Sequence, residues 1–346
     1  MKTELIDFIV CPICRQKLSL KILKSASDEI IEGKLTCTKK HVFKISNGIP
    51  RFVTDPSKDF QKTEDAFSSK WKNYHKTYHD KKWVDKQKKW FLDRFGWKNI
   101  LEFKNFLKKS NYILDAGTGV GNSAKLFSSC SNAKVLAIDA SDSIEYAYKK
   151  YGKEKNLFFI QADIRTLPFK KNFFDFICSD QVLHHTKDTE TSFKYLTKFL
   201  AKKASIAIYI YKKKGPLREY ADDYLREKLV KGTEKECIQF SKDMSDLGKS
   251  ISLLNKKIKI PKDIPILNIK AGTYDIQRFI YWNFLKCWWS ADVPYEQSVA
   301  TNFDWYFPKF AYRHTEKEVR KWYSACKLKI IHFNEIESGY SLIGRK

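Results

Sequence analysis

Three sets of residues in this chain have the types and spacing that chemistry requires. The first is Cys11-Pro12-Ile13-Cys14, followed after 22 residues by Cys37-Thr38-Lys39-Lys40-His41. Each pair holds two donors on one tight turn. Three thiolates and an imidazole in a closed set favour four-coordinate zinc in a structural role, with no position left for an activated water. The other five cysteines, at 130, 178, 237, 287 and 326, are scattered singly, often in apolar stretches. That distribution suits reduced core cysteines in a reducing compartment better than a disulfide framework.

The second set is Ile113-Leu114-Asp115-Ala116-Gly117-Thr118-Gly119-Val120-Gly121, a strand leading through a glycine-rich turn into a helix. Glycines at alternate positions let backbone approach a ligand closely at the carboxyl end of a strand. Asp139 ends the next strand, 18 residues past Gly121, where a carboxylate can accept both hydroxyls of a ribose. Asp163, followed by Ile164, ends the third strand and is placed to meet an adenine amino group. A dinucleotide site would order its glycines as Gly-x-Gly-x-x-Gly, which this loop does not. A turn that merely tightens an α/β corner would leave both acids unexplained.

The third set lies in the fourth strand and the loop beyond it, Phe173-Phe174-Asp175-Phe176-Ile177-Cys178-Ser179-Asp180-Gln181-Val182-Leu183-His184-His185. Residues just outside this strand border the ligand in an open α/β sheet. His184 and His185 are the candidates for removing a proton from a hydroxyl, since imidazole titrates near neutrality. Either one could equally hold the loop by hydrogen bonds. Asp180 faces the cofactor or orients a histidine.

These sets need elements to position them. Short apolar strands are expected at Tyr112–Asp115, Lys134–Asp139, Leu157–Asp163, Phe173–Ser179 and Ser205–Tyr211. Helices at Asn122–Ser129, Ser143–Tyr151 and Glu190–Leu200 fill the gaps, which predicts a parallel sheet covered on both faces. Residues 1–55 read as a β-rich module ending at the turn Asn47-Gly48-Ile49-Pro50. Residues 56–110 read as a helical lead-in with Phe67, Trp71, Tyr74, Trp83 and Trp90, and 111–211 as the α/β core. Residues 212–314 interrupt the alternation as a substrate-covering insertion. A capping box, Thr315-Glu316-Lys317-Glu318, then opens a last helix to about Cys326, followed by strands Lys327–Glu335 and Tyr340–Gly344.

Two resemblances follow from these residues. Cys11-Pro-x-Cys14, Gly33-Lys-Leu-x-Cys37 and Ile45 through Asn47-Gly48-Ile49-Pro50-Arg51-Phe52 resemble the zinc module of the small subunit that activates eukaryotic tRNA and protein methyltransferases. His41 departs from the usual fourth cysteine, as it does in zinc-bearing 23S rRNA guanine methyltransferases. The pattern Asp-x-Gly-x-Gly-x-Gly, with acids ending strands two and three, resembles class I S-adenosylmethionine-dependent methyltransferases. Val182-Leu183-His184-His185-Thr186 is similar to a type-11 subgroup of them. Leu196 to Lys214 also matches, with Lys202-Lys203-Ala204 in place of the usual turn. The resemblance implies a Rossmann-like sheet with an N-terminal zinc module and a mainly helical insertion before the last helix and strand pair. It also implies that Asp115 and Gly117, Gly119 and Gly121 hold the amino-acid end of S-adenosylmethionine, Asp139 the ribose, and Asp163 with Ile164 the adenine.

The acceptor side is expected on the aromatic lead-in and the insertion, with Asp304, Tyr306, Arg313 and His314 as its polar members. Trp282, Trp288 and Trp289 either pack or form a face toward a membrane-linked substrate. The net charge of +25 invites a nucleic-acid reading, but 55 of the 65 basic residues are lysine, and the excess is spread along the chain. Base readout and phosphate clamps favour the planar fork of arginine. The expected acceptor is therefore a small molecule: a sugar, lipid-linked compound or secondary metabolite. RNA gripped by the zinc module is the rival, and an idle adaptor is the third reading. The first ten residues lack a secretory signal, and Phe279–Trp289 is too short to span a bilayer and is interrupted by Lys286, so a cytoplasmic protein without a transmembrane segment is expected. No residue pattern specifies an oligomeric state.

Overall fold

Short apolar strands flanked by turns dominate the first fifty residues: β1 (Leu18–Ala26), β2 (Glu29–Cys37), β3 (Val42–Ser46) and β4 (Ile49–Pro50). They pair in that order as an antiparallel sheet in the computed structural model, which describes residues 1–54 and 57–346. Asn47 and Gly48, at φ 54° and 77°, make the β3–β4 turn. The expected turn segment Asn47-Gly48-Ile49-Pro50 thus comprises this turn and the module's last strand. The chain continues through Arg51 and Phe52 onto the large sheet, and the expected boundary at 55/56 falls outside the described residues.

Helices α1 (Lys58–Tyr78), α2 (Lys81–Arg94) and α3 (Ile100–Leu107) form the lead-in. Side chains of Asp80 and Asn99 cap α2 and α3. The alternating unit follows: β5 (Tyr112–Ala116), α4 (Asn122–Cys130), β6 (Lys134–Asp139), α5 (Ser143–Tyr151), β7 (Leu157–Gln161), β8 (Phe174–Asp180), α6 (Thr189–Thr197) and β9 (Leu200–Tyr211). Strand β9 starts five residues earlier than expected and α6 stops at Thr197, because Lys203 at φ 64° is absorbed as a sheet irregularity rather than a loop. Next come α7 (Pro216–Leu229), α8 (Glu234–Leu253), β10 (Lys257–Ile260), β11 (Gly272–Asp275), α9 (Ile276–Asn283) and α10 (Tyr295–Tyr306). The β10–β11 hairpin interrupts an otherwise helical stretch and was not expected. The Thr315 capping box opens α11 (Glu316–Ala325), and β12 (Lys329–Glu335) and β13 (Gly339–Arg345) close the chain.

The seven-stranded sheet runs β12-β13-β9-β8-β5-β6-β7. Strands β5 to β9 are parallel to one another, and β13 is antiparallel to both β9 and β12. This is the Rossmann-like sheet expected of a class I methyltransferase. Alternate residues feed two cores, as a two-residue period demands. Leu114, Leu136, Ile177 and Ile206 face one of them, and Ile113, Val135, Phe176 and Ala207 the other. The first core also contains Leu5, Ile9, Leu35, Phe43 and Phe52, so module and sheet share one apolar interior. Backbone bonds stitch the join: Val10 N–H to the Pro168 carbonyl at 2.8 Å, and Phe52 N–H to the Gln161 carbonyl at 2.8 Å. The Gln161 bond covers the exposed edge of β7. The helices between β9 and α11 bury smaller clusters of their own with α1, including Ala66, Phe303, Tyr306 and Val299. Among the described residues, no helix is long and apolar enough to cross a membrane.

Candidate active site and metal centre

The four metal-ligand candidates converge. Cys11 and Cys14 flank a turn closed by Arg15 N–H on the Cys11 carbonyl at 2.9 Å, and Lys40 N–H on the Cys37 carbonyl at 2.9 Å closes the second. Arg15 and Lys40 both take positive φ, so each turn folds back tightly enough to aim its two donors together. The Cys14 and Cys37 sulfurs are 3.5 Å apart, and His41 Nδ1 lies 3.3 Å from Cys37 Sγ and 3.5 Å from Cys11 Sγ. All four ligand atoms fall within 4.8 Å of one another. A tetrahedron of zinc bonds about 2.3 Å long to sulfur puts its sulfurs about 3.8 Å apart, so the set fits the ion. Cys11, Cys14, Cys37 and His41 would hold zinc as a structural clip.

The other site is one cavity of 730 Å³ at the carboxyl ends of β5, β6 and β8. Gly117 and Gly119 form its floor, and Asp139, Asp163, Ile164 and Asp180 line it, as expected. Gly117 sits at φ 90°, and a Cβ there would come within 2.4 Å of Val182, so only glycine lets the β8 loop close over this turn. Asp139 Oδ2 accepts from Gly119 N–H at 2.8 Å, while Oδ1 accepts from the Ser141 hydroxyl at 2.6 Å. The carboxylate is thus held at the mouth of the turn with lone pairs left for vicinal hydroxyls. Next to it, the N-terminus of α4 supplies backbone donors at Asn122 and Ser123 suited to a carboxylate. Acceptor carboxylate and amide donors thus match the two polar ends of S-adenosylmethionine.

Two expected cofactor residues stand behind the wall instead. Asp115 is buried, accepts from the Thr118 hydroxyl at 2.7 Å and shapes the turn from within. Burial pushes its carboxyl up to about 7, against the pull of that hydrogen bond. Gly121, at φ 87°, is the N-cap of α4. Asp163 is clasped by Arg165, whose Nε lies 2.9 Å from Oδ2 and whose guanidinium stands over the Phe60 ring at 4.6 Å.

Residues 114–208 match the methyltransferase domain family, and residues 2–48 match the Trm112p-like protein family. The chain carries a methyltransferase domain behind a Trm112p-like module. Among curated proteins it is 38% identical over 85 residues to the ubiquinone/menaquinone biosynthesis C-methyltransferase UbiE of Wigglesworthia glossinidia brevipalpis, covering 23% of this chain and 34% of that protein. It is 24% identical over 115 residues to sterol 24-C-methyltransferase ERG6 of Saccharomyces cerevisiae, covering 32% of this chain and 30% of that one. The matched stretches span about a third of the length of these relatives. Among solved structures it is similar to magnesium protoporphyrin IX methyltransferase from Synechocystis PCC 6803, at 13% identity and a TM-score of 0.45 over 85% of this chain and all of that one.

The methyltransferase domain treats its two histidines differently. His185 lines the cavity, and its Nδ1–H donates to the Phe310 carbonyl at 2.7 Å, which leaves Nε2 as the ring's acceptor. Burial pushes it down to about 4. His184 is fully buried and absent from the cavity wall. Its ring stacks on Tyr211 at 3.6 Å, and among the described residues neither nitrogen has a partner. Asp180 serves neither histidine, because Arg94 holds both its oxygens at 2.9 and 2.8 Å.

Phe67, Trp71, Trp83 and Trp90 line the cavity, whereas Tyr74 packs against α10. Of the four polar acceptor-side residues, Asp304 alone reaches the cavity, through a 2.6 Å ion pair with Lys70. Tyr306 is buried behind it, Arg313 is bound to Glu219 and Asp223, and His314 packs edge-on against Trp322. Trp282 and Trp288 turn inward to the cavity rather than outward to a membrane face. The sequence reading missed Glu64, Lys70, Arg94, Lys214, Arg218 and Lys286, all on the wall. Glu64 and Lys70 had a signal: Phe60, Glu64, Phe67 and Trp71 follow a helical three-and-four spacing along one face of α1. Burial, then Asp139 and Asp163, pushes the Glu64 carboxyl well above its ordinary range.

Proposed function

We propose that this chain transfers the methyl group of S-adenosylmethionine to a small-molecule acceptor held in the inner half of the same cavity. The observation that carries the reading is the continuity of that cavity. It runs from the Gly117–Gly119 turn and Asp139, past Asp180 and His185, to an inner wall made by α7, α9 and α10.

The cofactor brings an activated sulfonium methyl, so the protein's work is placement and exclusion of water. Asp139 would take the ribose hydroxyls, and the α4 N-terminus the cofactor carboxylate. Asp163 and Arg165 would border the adenine as an ion pair, with Ile164 packing beside them. Glu64, whose carboxyl is pushed up by burial and by Asp139 and Asp163, would border the cofactor between those two acids. His185 Nε2 would receive a hydrogen bond from the acceptor. With its affinity for protons depressed by burial, it orients a hydroxyl rather than carrying full charge. His184 supports this ring by packing.

No described residue of the zinc module lines the cavity, so the module is read as a brace for the sheet rather than a grip on the acceptor. The testing experiment is calorimetric titration of the zinc-loaded protein with S-adenosylmethionine and S-adenosylhomocysteine, beside Asp139→Ala. Micromolar binding that the substitution weakens at least a hundredfold is expected. Absence of binding to folded wild type would move the non-catalytic adaptor to first place.

A further inference from the structure

Lys286 sits where an unbalanced charge is costly. Its side chain is 5% exposed, lines the inner end of the cavity and lies 4.6 Å from the Trp305 ring centroid and 5.9 Å from that of Tyr281. Among the described residues it meets no carboxylate and no hydrogen-bond acceptor. The acids nearby are committed elsewhere: Asp304 to Lys70 at 2.6 Å, and the buried Asp222 to Arg218 at 2.9 Å. Lys214, on the same wall, points its ammonium at the carbonyls of Glu337 and Ser338, at 2.6 and 3.1 Å, and over Trp282 at 5.2 Å, while its backbone N–H donates to the Glu219 carboxylate at 2.8 Å. Lys286 thus faces the enclosed end of the cavity with no carboxylate of its own, Asp304 being shared with Lys70, and a buried ammonium without its own counter-ion is strongly disfavoured; half-buried Lys214 adds a second positive group to the same wall.

The position of Lys286 is also constructed. The Tyr306 hydroxyl donates to its carbonyl at 3.0 Å, and Asn302 clamps Trp288 from both sides, accepting from its N–H at 2.9 Å and donating to its carbonyl at 3.1 Å. Asn302 in turn is tied to Ser245 at 2.9 Å. A fixed backbone thus aims a lysine from a mostly apolar stretch, Phe279–Trp289, into the cavity.

We infer that the methyl acceptor carries an anionic oxygen group, a carboxylate or a phosphate, which docks on Lys286 and Lys214 at the inner end of the cavity while its body lies against Tyr281, Trp282 and Trp305. The inference rests on the methyl-transfer reading for the word acceptor, but the anion site stands on its own geometry. Burial lowers Lys286 to about 8 in the free protein, the direction that a bound anion would reverse.

The test uses three probes of one shape, phenyl phosphate, benzoate and benzyl alcohol. Each is titrated by calorimetry into wild type, Lys286→Met and Lys286→Arg, with and without saturating S-adenosylhomocysteine. At least one anionic probe is expected to bind wild type ten times more tightly than benzyl alcohol. Phenyl phosphate leading would assign phosphate, and benzoate leading would assign carboxylate. Lys286→Met should lose that tenfold preference, and Lys286→Arg should keep most of it. The ligand-free Lys286→Met protein should melt no lower than wild type, since a lone buried charge has gone. Equal binding of the neutral probe, no binding of either anion, or an undiminished anion preference in Lys286→Met would each overturn the inference. So would a lowered melting temperature in Lys286→Met, which would make the lysine a structural group. S-adenosylhomocysteine binding is read separately in the same titrations, so loss of the methyl-transfer reading would not be mistaken for loss of the anion site.

Discussion

The same sheet carries two additions, and they differ in how far they merge with it. The zinc module enters through backbone: β4 leads into the β7 edge at Gln161, and its apolar side chains merge with one face of the sheet. Among the described residues, the segment between β9 and α11 touches the sheet's backbone only near its end, at His314 N–H on the Tyr211 carbonyl and Tyr312 N–H on the His184 carbonyl, both 2.9 Å, and its helices close over the strand ends by side chains, with Asp304 on α10 tied to Lys70 on α1. No described residue of the module lines the cavity, whereas the helices contribute its inner half. An addition fused into the core stabilises. One that closes over strand ends by ion pairs can present charge to a ligand. The contrast predicts that damage to the first is felt as stability and damage to the second as recognition.

Zinc removal should give the largest effect. Structural zinc contributes about 10–16 kcal/mol to the folding of isolated zinc-finger peptides, and here the module shares its interior with the sheet. Chelation, or Cys14→Ser, is expected to unfold residues 1–54 and to lower the melting temperature of the whole chain in calorimetry. A core that kept its melting temperature after chelation would break the comparison. The next effect is at Lys70, which is buried to 6% exposure beside Asp304. Lys70→Met leaves that carboxylate unpaired and should cost about 3–5 kcal/mol in urea unfolding. The double variant Lys70→Met/Asp304→Leu should recover most of the loss.

The two additions also differ in how readily the sequence shows them. Ligand pairs at Cys11/Cys14 and Cys37/His41, and the turn at Gly117–Gly121, are local: each is set by residues within a few positions of one another. Strands β5 to β8 follow from short apolar runs ended by acids, and their boundaries fall within two residues of expectation. The inner wall has no such locality. Lys214, Lys286 and Asp304 come from three segments of a helical cover, and what makes Lys286 informative is a missing partner, which only three-dimensional packing can reveal. Tyr306, Arg313 and His314 carried the same residue-type signal as Asp304 and are spent on packing and surface ion pairs. The His-His pair was ambiguous for a related reason, since adjacent residues in a tight loop point in different directions.

A third prediction turns on those buried histidines. Burial lowers His185 and His314 to about 4 and pushes His184 well below its ordinary range as well. Below pH 6.5 the unfolded chain takes up protons that the folded chain refuses, so stability falls as pH drops from 6.5 toward 4 and is regained on the way up. At 1.36 kcal/mol per pKa unit, His185 alone accounts for about 3 kcal/mol of that loss. His185→Gln, which keeps a donor for the Phe310 carbonyl, should flatten the acid limb by about 2–3 kcal/mol between pH 6.5 and 4.5 in urea unfolding. An unchanged slope would show that the ring takes up its proton without cost in the folded state.

The smallest effect, and the sharpest for the comparison, is at Arg51. Its guanidinium joins the module to the sheet through Gln161 Oε1 at 3.1 Å and through the carboxylate of Glu145 on α5. The pair is partly exposed, at 18% and 36%, so Arg51→Ala should cost only about 1 kcal/mol. Gln161 is also the last residue of β7, two positions before Asp163, and its side-chain amide donates to the Ala140 carbonyl beside Asp139 at 3.1 Å. If the module acts only as a brace, Arg51→Ala should lower stability by that amount and leave S-adenosylhomocysteine affinity within twofold of wild type. A tenfold loss of affinity at so small a cost in stability would mean that the module sets the position of the two strand-end acids. The division between a stabilising addition and a recognising one would then fail at this edge of the sheet.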